Sequence, residues 1–417
     1  MSAAVSPLPA RPTAVRTTVL MFSAFAFAYF FSALLRAVTA TLAPSFSAEL
    51  GLSAGDLGLL AGAFFLGFSL MQLPLGRALD RYGPRRVLVA LLALAVFACA
   101  AFALARNFAS LLAARALIGV GVSACLMAPL TAYRHRLGAS AQLRANSWML
   151  MTGSLGMLAS TLPVQWLVPA VGWRGLFWIV AGLLALATAT IAWAVPRDSP
   201  ALPTAGGAVL GYREIFGHRY LQRLAPLAFF AYGGLVAVQS LWAGPWLTDV
   251  AGHSPADAAR GLFAINLSML FAFLGWGMVL PRLTRRGWRV DRLIALGVPL
   301  SLLLLYAAVA LGPQAGAAWW AAWCVSCTFM ALSQPAVAQA FPAAAAGRAL
   351  SAFNLVIFLG VFCVQWGIGL AIDALMALGL PRVLAFQVAF ALFALGCTLS
   401  YLWFLWSGRT TVAHQAG

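Results

Sequence analysis

The chain has 417 residues, of which 63% are apolar and only 8% charged. Soluble domains carry about 25% charged residues, so a soluble globular fold is excluded, and the lack of a long polar tract argues against disorder. The net charge of +17 comes from 26 basic residues, all arginine, which cluster at the ends of apolar runs; that placement suits a membrane topology signal and not a nucleic-acid-binding stripe.

A membrane-crossing helix needs about 20 mostly apolar residues. Twelve such runs are predicted. The first six cover 17–42, 57–76, 85–105, 109–133, 145–168 and 174–195, and the second six cover 224–248, 259–281, 291–312, 317–341, 350–373 and 382–406. The first run is longer than the apolar region of a signal peptide and is read as retained. With a cytoplasmic N-terminus, twenty arginines fall in inside segments, four (Arg106, Arg174, Arg260, Arg382) in outside loops, and Arg36 and Arg115 within spans. That asymmetry predicts a multi-pass protein of a bacterial-type inner membrane, with both termini cytoplasmic. The fold class is all-α integral membrane: twelve transmembrane helices in two pseudo-symmetric six-helix bundles.

The most polar internal stretch, 196–223, contains Pro196, Pro200, Pro203, Gly206 and Gly207. It is read as a cytoplasmic linker between a bundle at 1–195 and a bundle at 224–417. Weak internal likeness supports two halves. Gly76, Arg81 and Arg85 after span two correspond to Gly277, Arg282 and Arg286 after span eight, 201 positions later. Span five has Arg144, Gly156 and Val164-Gln165-Trp166, while span eleven has Arg348, Gly360 and Val364-Gln365-Trp366. Repeated halves enclosing a site are a recurring transporter plan.

The segment after span two reads Gly76-Arg77-Ala78-Leu79-Asp80-Arg81-Tyr82-Gly83-Pro84-Arg85-Arg86. Its glycines permit close or left-handed backbone, and Asp80 is a lone carboxylate among four arginines. This string resembles the signature loop of the major facilitator superfamily. Arg115-Ala116-Leu117-Ile118-Gly119-Val120-Gly121 in span four is similar to a second motif of that superfamily. The resemblance implies two bundles rocking about a central cavity. It also implies a cytoplasmic latch built from Gly76, Asp80, Arg81, Gly83 and Arg86, with the start of span eleven near Arg348 to Ser351 as its partner. Two departures stand out: Pro281 occupies the place of Asp80's counterpart in the second half, and span five lacks the Gly-Pro-x-x-Gly-Gly string of drug/proton antiporters.

Arg36 and Arg115 each cost about 2.5–3.5 kcal/mol at the centre of a span. All nine carboxylates lie in loops or at span edges, so a visiting anion is the candidate partner, held bidentately by guanidinium. Arg36 also resembles the helix-one arginine of superfamily members that carry organic anions. Snorkelling of Arg36 and a structural role for Arg115 remain open. Further candidate substrate contacts are Tyr29 in span one, Gln239 and Trp242 one turn apart in span seven, Gln334 in span ten, and Asn354 and Gln365 in span eleven; each can alternatively bond helix to helix. Trp319, Trp320, Trp403 and Trp406 near span ends read as interfacial anchors.

Cys324-x-x-Cys327 lacks histidine or methionine company and reads as packing rather than as a metal site. No cofactor, metal site, catalytic set or nucleic-acid partner is expected. The reading is a secondary transporter of a small solute, an organic anion, acting as a monomer in the lipid bilayer with a coupling ion, proton or sodium. Asp56 and Asp373, at span edges, are poor candidates for carrying a coupling proton. The alternatives are an exporter of apolar or cationic compounds and a transporter-like sensor without flux.

Overall fold

The computed structural model describes residues 15–196 and 210–413. Arg11 and most of the linker, including Arg197, Pro200, Pro203, Gly206 and Gly207, lie outside the described residues. Every regular element among the described residues is helical.

The first helix, α1 (Val15–Leu50), has 36 residues and overruns the predicted span at its far end. Pro44 removes one helical hydrogen bond without ending the helix; Gly51, at φ 62°, ends it. The overrun matters for Arg36, which lies fourteen residues before Leu50, about 21 Å along the axis at 1.5 Å per residue. It therefore sits deeper than the sequence suggested.

Helix α2 is bent by 45° between Ala54–Leu70 and Gln72–Tyr82. Its first turn is closed by a capping box between Ser53 and Asp56, which satisfies exposed amides reciprocally. The expected loop at 76–86 is almost entirely helical: α2 runs to Tyr82, Gly83 turns the chain at φ 80°, and α3 (Pro84–Leu104) starts at once. Helix α4 (Phe108–Arg134) follows, its start capped by the Asn107 side chain.

Spans five and six are nearly continuous. Helix α5 comprises Ala139–Ala159 and 162–171. Gly172, at φ 67°, breaks the stretch Leu162–Ala194, and α6 occupies 173–194. Only glycine reaches this backbone region without strain.

The second half contains α7 (Arg219–Val250), α8 (Pro255–Arg285), α9 (Val290–Leu311), α10 (Ala317–Gln339), α11 (Ala343–Ala377) and α12 (Arg382–Ala413). Three π-helical segments widen α7, at Ala228–Tyr232, Val238–Trp242 and Trp246–Val250. A 3-10 segment, Cys327–Leu332, tightens α10 just before Gln334. Among the described residues, ten helical stretches are long and apolar enough to cross a membrane by themselves. Counting the bent α2 as one crossing and dividing at Gly172 gives twelve.

Among the tryptophans, Trp403 and Trp406 are exposed, as anchors should be. Trp320 is fully buried against Trp246 and Phe390, because α7 and α12 cover that face of α10. The arginine-rich end of the bundle carries the α2–α3 turn, and the arginine-poor end carries the α1–α2 turn.

Candidate functional site

The two halves meet along α2 and α11. At the arginine-poor end, Asp373 of α11 accepts hydrogen bonds from the Ala54 and Gly55 amides of α2, at 3.0 and 2.7 Å. A carboxylate at a helix N-terminus is favoured both by the exposed amides and by the helix dipole. One turn further, a Cβ on Gly58 would stand 2.4 Å from the Gln365 carbonyl oxygen, so α2 and α11 approach backbone to backbone.

Deeper along this seam lies Arg36. Its guanidinium sits over two rings from opposite halves, 5.5 Å from the Phe68 centroid on α2 and 5.9 Å from the Phe358 centroid on α11. Those rings meet edge to face at 4.6 Å. Tyr29, two turns earlier on α1, and Tyr232 of α7 are within electrostatic reach of the guanidinium. The Arg36 Nε is buried without a hydrogen-bond partner. Next to Tyr232, the Gln334 amide donates to Asn354 Oδ1 at 2.7 Å, and the Tyr232 hydroxyl donates to Gln334 Oε1 at 3.5 Å. Four candidates, Tyr29, Arg36, Gln334 and Asn354, thus form one polar neighbourhood with Tyr232 of α7.

The remaining polar candidates are used elsewhere. Arg115 is 1% exposed and donates to the Leu35 carbonyl at 2.9 Å and to Thr39 Oγ1 at 2.6 Å, beneath the Phe64 ring. It braces α4 to α1 and is closed off from any cargo in this conformation. Gln239 donates to Asn266 at 3.0 Å. Trp242 donates to the Gln365 carbonyl at 3.1 Å, and the Gln365 amide donates to Ser240 at 3.0 Å. These three fasten helix to helix within the second half.

No described carboxylate reaches Arg36. Toward the arginine-poor end, Glu49 accepts from Trp173 and Arg174, Asp249 pairs with Arg382, and Asp257 pairs with Arg260. Asp56 caps α2 and Asp373 spans the seam. Toward the arginine-rich end, Asp291 holds Arg223 and Tyr220, Glu214 caps a short helix, and Asp80 is exposed. A cavity of about 150 Å³ opens at the arginine-poor end between the halves, lined by Ser53, Leu57, Thr248, Asp249, His253 and Arg382. Arg36 lies outside it.

The sequence matches the Major Facilitator Superfamily over residues 25–364. The chain belongs to the major facilitator superfamily. This superfamily member is 28% identical over 203 residues to a probable L-galactonate transporter of Escherichia coli K12, covering 46% of this chain and 42% of that protein. It is 29% identical over 256 residues to the 3-(3-hydroxy-phenyl)propionate transporter of the same organism, covering 61% and 60%. The chain thus spans about half the length of the curated relatives it matches. Among solved structures, its fold resembles a bacterial homologue of the human lysosomal transporter Spinster, inward-facing and unoccupied, with a TM-score of 0.77 at 17% identity over 96% of this chain and 99% of that one. The superfamily is one of transporters, not enzymes.

In this superfamily member the signature residues are placed as follows. Gly83 makes the turn. Gly76 is mid-helix with open space where a Cβ would be. Arg81 lies over the neighbouring Tyr82 ring, and Arg86 is exposed. Asp80 has no hydrogen-bond or ion-pair partner among the described residues, and Arg348 donates instead to the Leu210 carbonyl at 3.3 Å. The polar tie at this end is the short helix Tyr212–Gly217, whose Tyr212 hydroxyl donates to the Leu73 carbonyl at 3.2 Å while Arg77 lies over its ring. The sequence reading missed Phe68, Phe358 and Tyr212. Phenylalanine is too common here, at 28 residues, for any one to signal a site.

Proposed function

We propose that this protein is a secondary carrier of a small organic anion, working by alternating access between halves at 1–195 and 224–417 joined through 196–223. The observation that carries the reading is Arg36, a guanidinium far from either end of α1 with aromatic faces but no anion beside it, at the meeting of both halves. An intramembrane charge with no opposite charge beside it is a functional-site hypothesis by default. The two relatives reported above, named for L-galactonate and 3-(3-hydroxy-phenyl)propionate, transport carboxylic acids by those names, which supports the same reading.

The arginine-rich end faces the cytoplasm, in accord with the arginine asymmetry, and the membrane is a bacterial-type cytoplasmic membrane. Tyr29, Tyr232, Gln334 and Asn354 contact the cargo beside Arg36. Every described carboxylate is at a membrane edge, which favours a proton carried on the cargo itself, or anion exchange, over a dedicated mid-membrane proton acceptor. A cationic cargo is disfavoured for the same reason. One copy of the chain holds the complete site.

The test is binding and liposome uptake of gluconate and 3-phenylpropionate with purified Arg36→Gln and Arg36→Lys. Removing one partner of a buried charge pair costs about 2–5 kcal/mol, so Arg36→Gln should weaken the binding anion by at least about 30-fold. Arg36→Lys should fall between, since lysine keeps the charge without the bidentate fork. Unchanged affinity in both variants overturns the assignment.

A further inference from the structure

The surroundings of Arg36 restrict its cargo further, an inference that rests on the organic-anion reading. Two features set the restriction: the number of charges the site can meet, and the kind of surface that flanks them.

Charge comes first. Arg115, the other arginine within a span, is 1% exposed: its Nη2 donates to Leu35 and Thr39 while its Nε and Nη1 are buried without a hydrogen-bond partner, so burial keeps it out of reach of a cargo in this conformation. One guanidinium is therefore available, and it can match one acid group. A second carboxylate would be buried unpaired, which is costly in a low-dielectric site. An ammonium group on the cargo would fare equally badly, because no carboxylate of the described residues stands near Arg36.

The flanking surface comes second. Arg36 rests on Phe68 and Phe358, which come from opposite halves and meet each other edge to face at 4.6 Å. Phe65 adds a stacked ring 6.2 Å from Phe358. Phe358 and Arg36 are both only partly buried, so neither is sealed in the core. Tyr29 and Tyr232 give the guanidinium polar company on one side, but the two ring faces it lies over are plain phenyl rings, which offer a sugar hydroxyl no hydrogen bond. A flat π-system lying against Phe358 gains offset or edge-to-face contact beyond its apolar area.

We infer that the cargo is an aromatic monoanion: one carboxylate on Arg36, one ring against Phe68 and Phe358, and no ammonium group. The ring of the cargo takes the place that each phenylalanine offers the other in this conformation. Because one phenylalanine belongs to each half, the cargo ring then touches both halves at once.

The test measures dissociation constants of detergent-purified protein for benzoate, phenylacetate and 3-phenylpropionate, each against its cyclohexane counterpart of equal chain length. Phenylalanine and phenylsuccinate test the charge rule. The best aromatic acid should bind about three- to tenfold tighter than its saturated counterpart. Phenylalanine and phenylsuccinate should bind at least about tenfold more weakly than 3-phenylpropionate, because each buries an unpaired charge. Phe358→Leu, which keeps an apolar side chain without the ring, should erase the preference for the aromatic acid over its saturated counterpart.

Equal or tighter binding of the saturated acids, with both series abolished by Arg36→Gln, overturns the aromatic inference and leaves the organic-anion reading standing. Tight binding of phenylsuccinate or phenylalanine overturns the charge rule. Binding of these acids that ignores Arg36→Gln, or no binding of any carboxylate, takes down the organic-anion reading itself and this inference with it.

Discussion

Helices α2 and α11 are tied differently at their two ends. At the arginine-poor end the tie is direct: Asp373 of one half caps the first turn of the other, and the backbones touch at Gly58 and Gln365. At the arginine-rich end Asp80 is exposed without a partner among the described residues, and the polar tie runs through the short helix Tyr212–Gly217. The arginine-poor end therefore closes on close packing plus a charge-assisted cap, the other end on a neutral hydrogen bond and a cation–π contact to a connecting segment. Charged hydrogen bonds are about twice as strong as neutral ones. The arginine-poor end is thus the harder one to open from this conformation.

That asymmetry can be broken in graded steps. Leu57 is 5% exposed beside the arginine-poor cavity, so Leu57→Cys labelled by a membrane-impermeant maleimide reports opening there. Gly58→Leu should have the largest effect. Its Cβ alone meets a backbone carbonyl at 2.4 Å, and overpacking of this kind costs about 1–3 kcal/mol. Labelling should then rise by roughly 5- to 150-fold. No change would mean that the two backbones do not touch in the membrane.

Asp373→Ala comes next. Loss of a helix cap costs about 0.5–2 kcal/mol, so labelling should rise by about 2- to 30-fold. Asp373→Asn keeps an acceptor but not the charge and should fall between wild type and Asp373→Ala. Equal labelling of all three would remove Asp373 from the closure. The smallest effect is expected for Tyr212→Phe, which deletes one neutral hydrogen bond worth about 0.5–1.5 kcal/mol. Because that bond ties the opposite end, labelling of Leu57→Cys should stay level or fall. A rise would show that the two ends are not opposed.

Much of the architecture was legible from the chain alone. Twelve apolar runs, the arginine asymmetry and the signature around Asp80 pointed to the superfamily, because hydropathy and charge act on each segment separately. The capping of α2 was less visible, although Ser53 and Asp56 have the spacing of a capping box. The site was half legible. Arg36 was singled out because an apolar span holding a charge is anomalous in the sequence itself. Arg115 was singled out for the same reason, yet the fold gives it Leu35 and Thr39. Gln239, Trp242 and Gln365 were equally plausible by type and were instead consumed in helix-to-helix bonds.

By itself the sequence determined that the chain crosses a membrane as helices, and that two guanidinium groups lie among apolar residues without local carboxylates. Burial of backbone amides and the cost of intramembrane charge are properties that each segment carries with it. Only the tertiary structure decided which arginine is fully buried and which only partly, that Phe68 and Phe358 flank Arg36, and that Asp373 rather than Asp80 spans the seam. Those outcomes depend on which side chains meet across 290 residues between Phe68 and Phe358, and no local periodicity encodes that meeting.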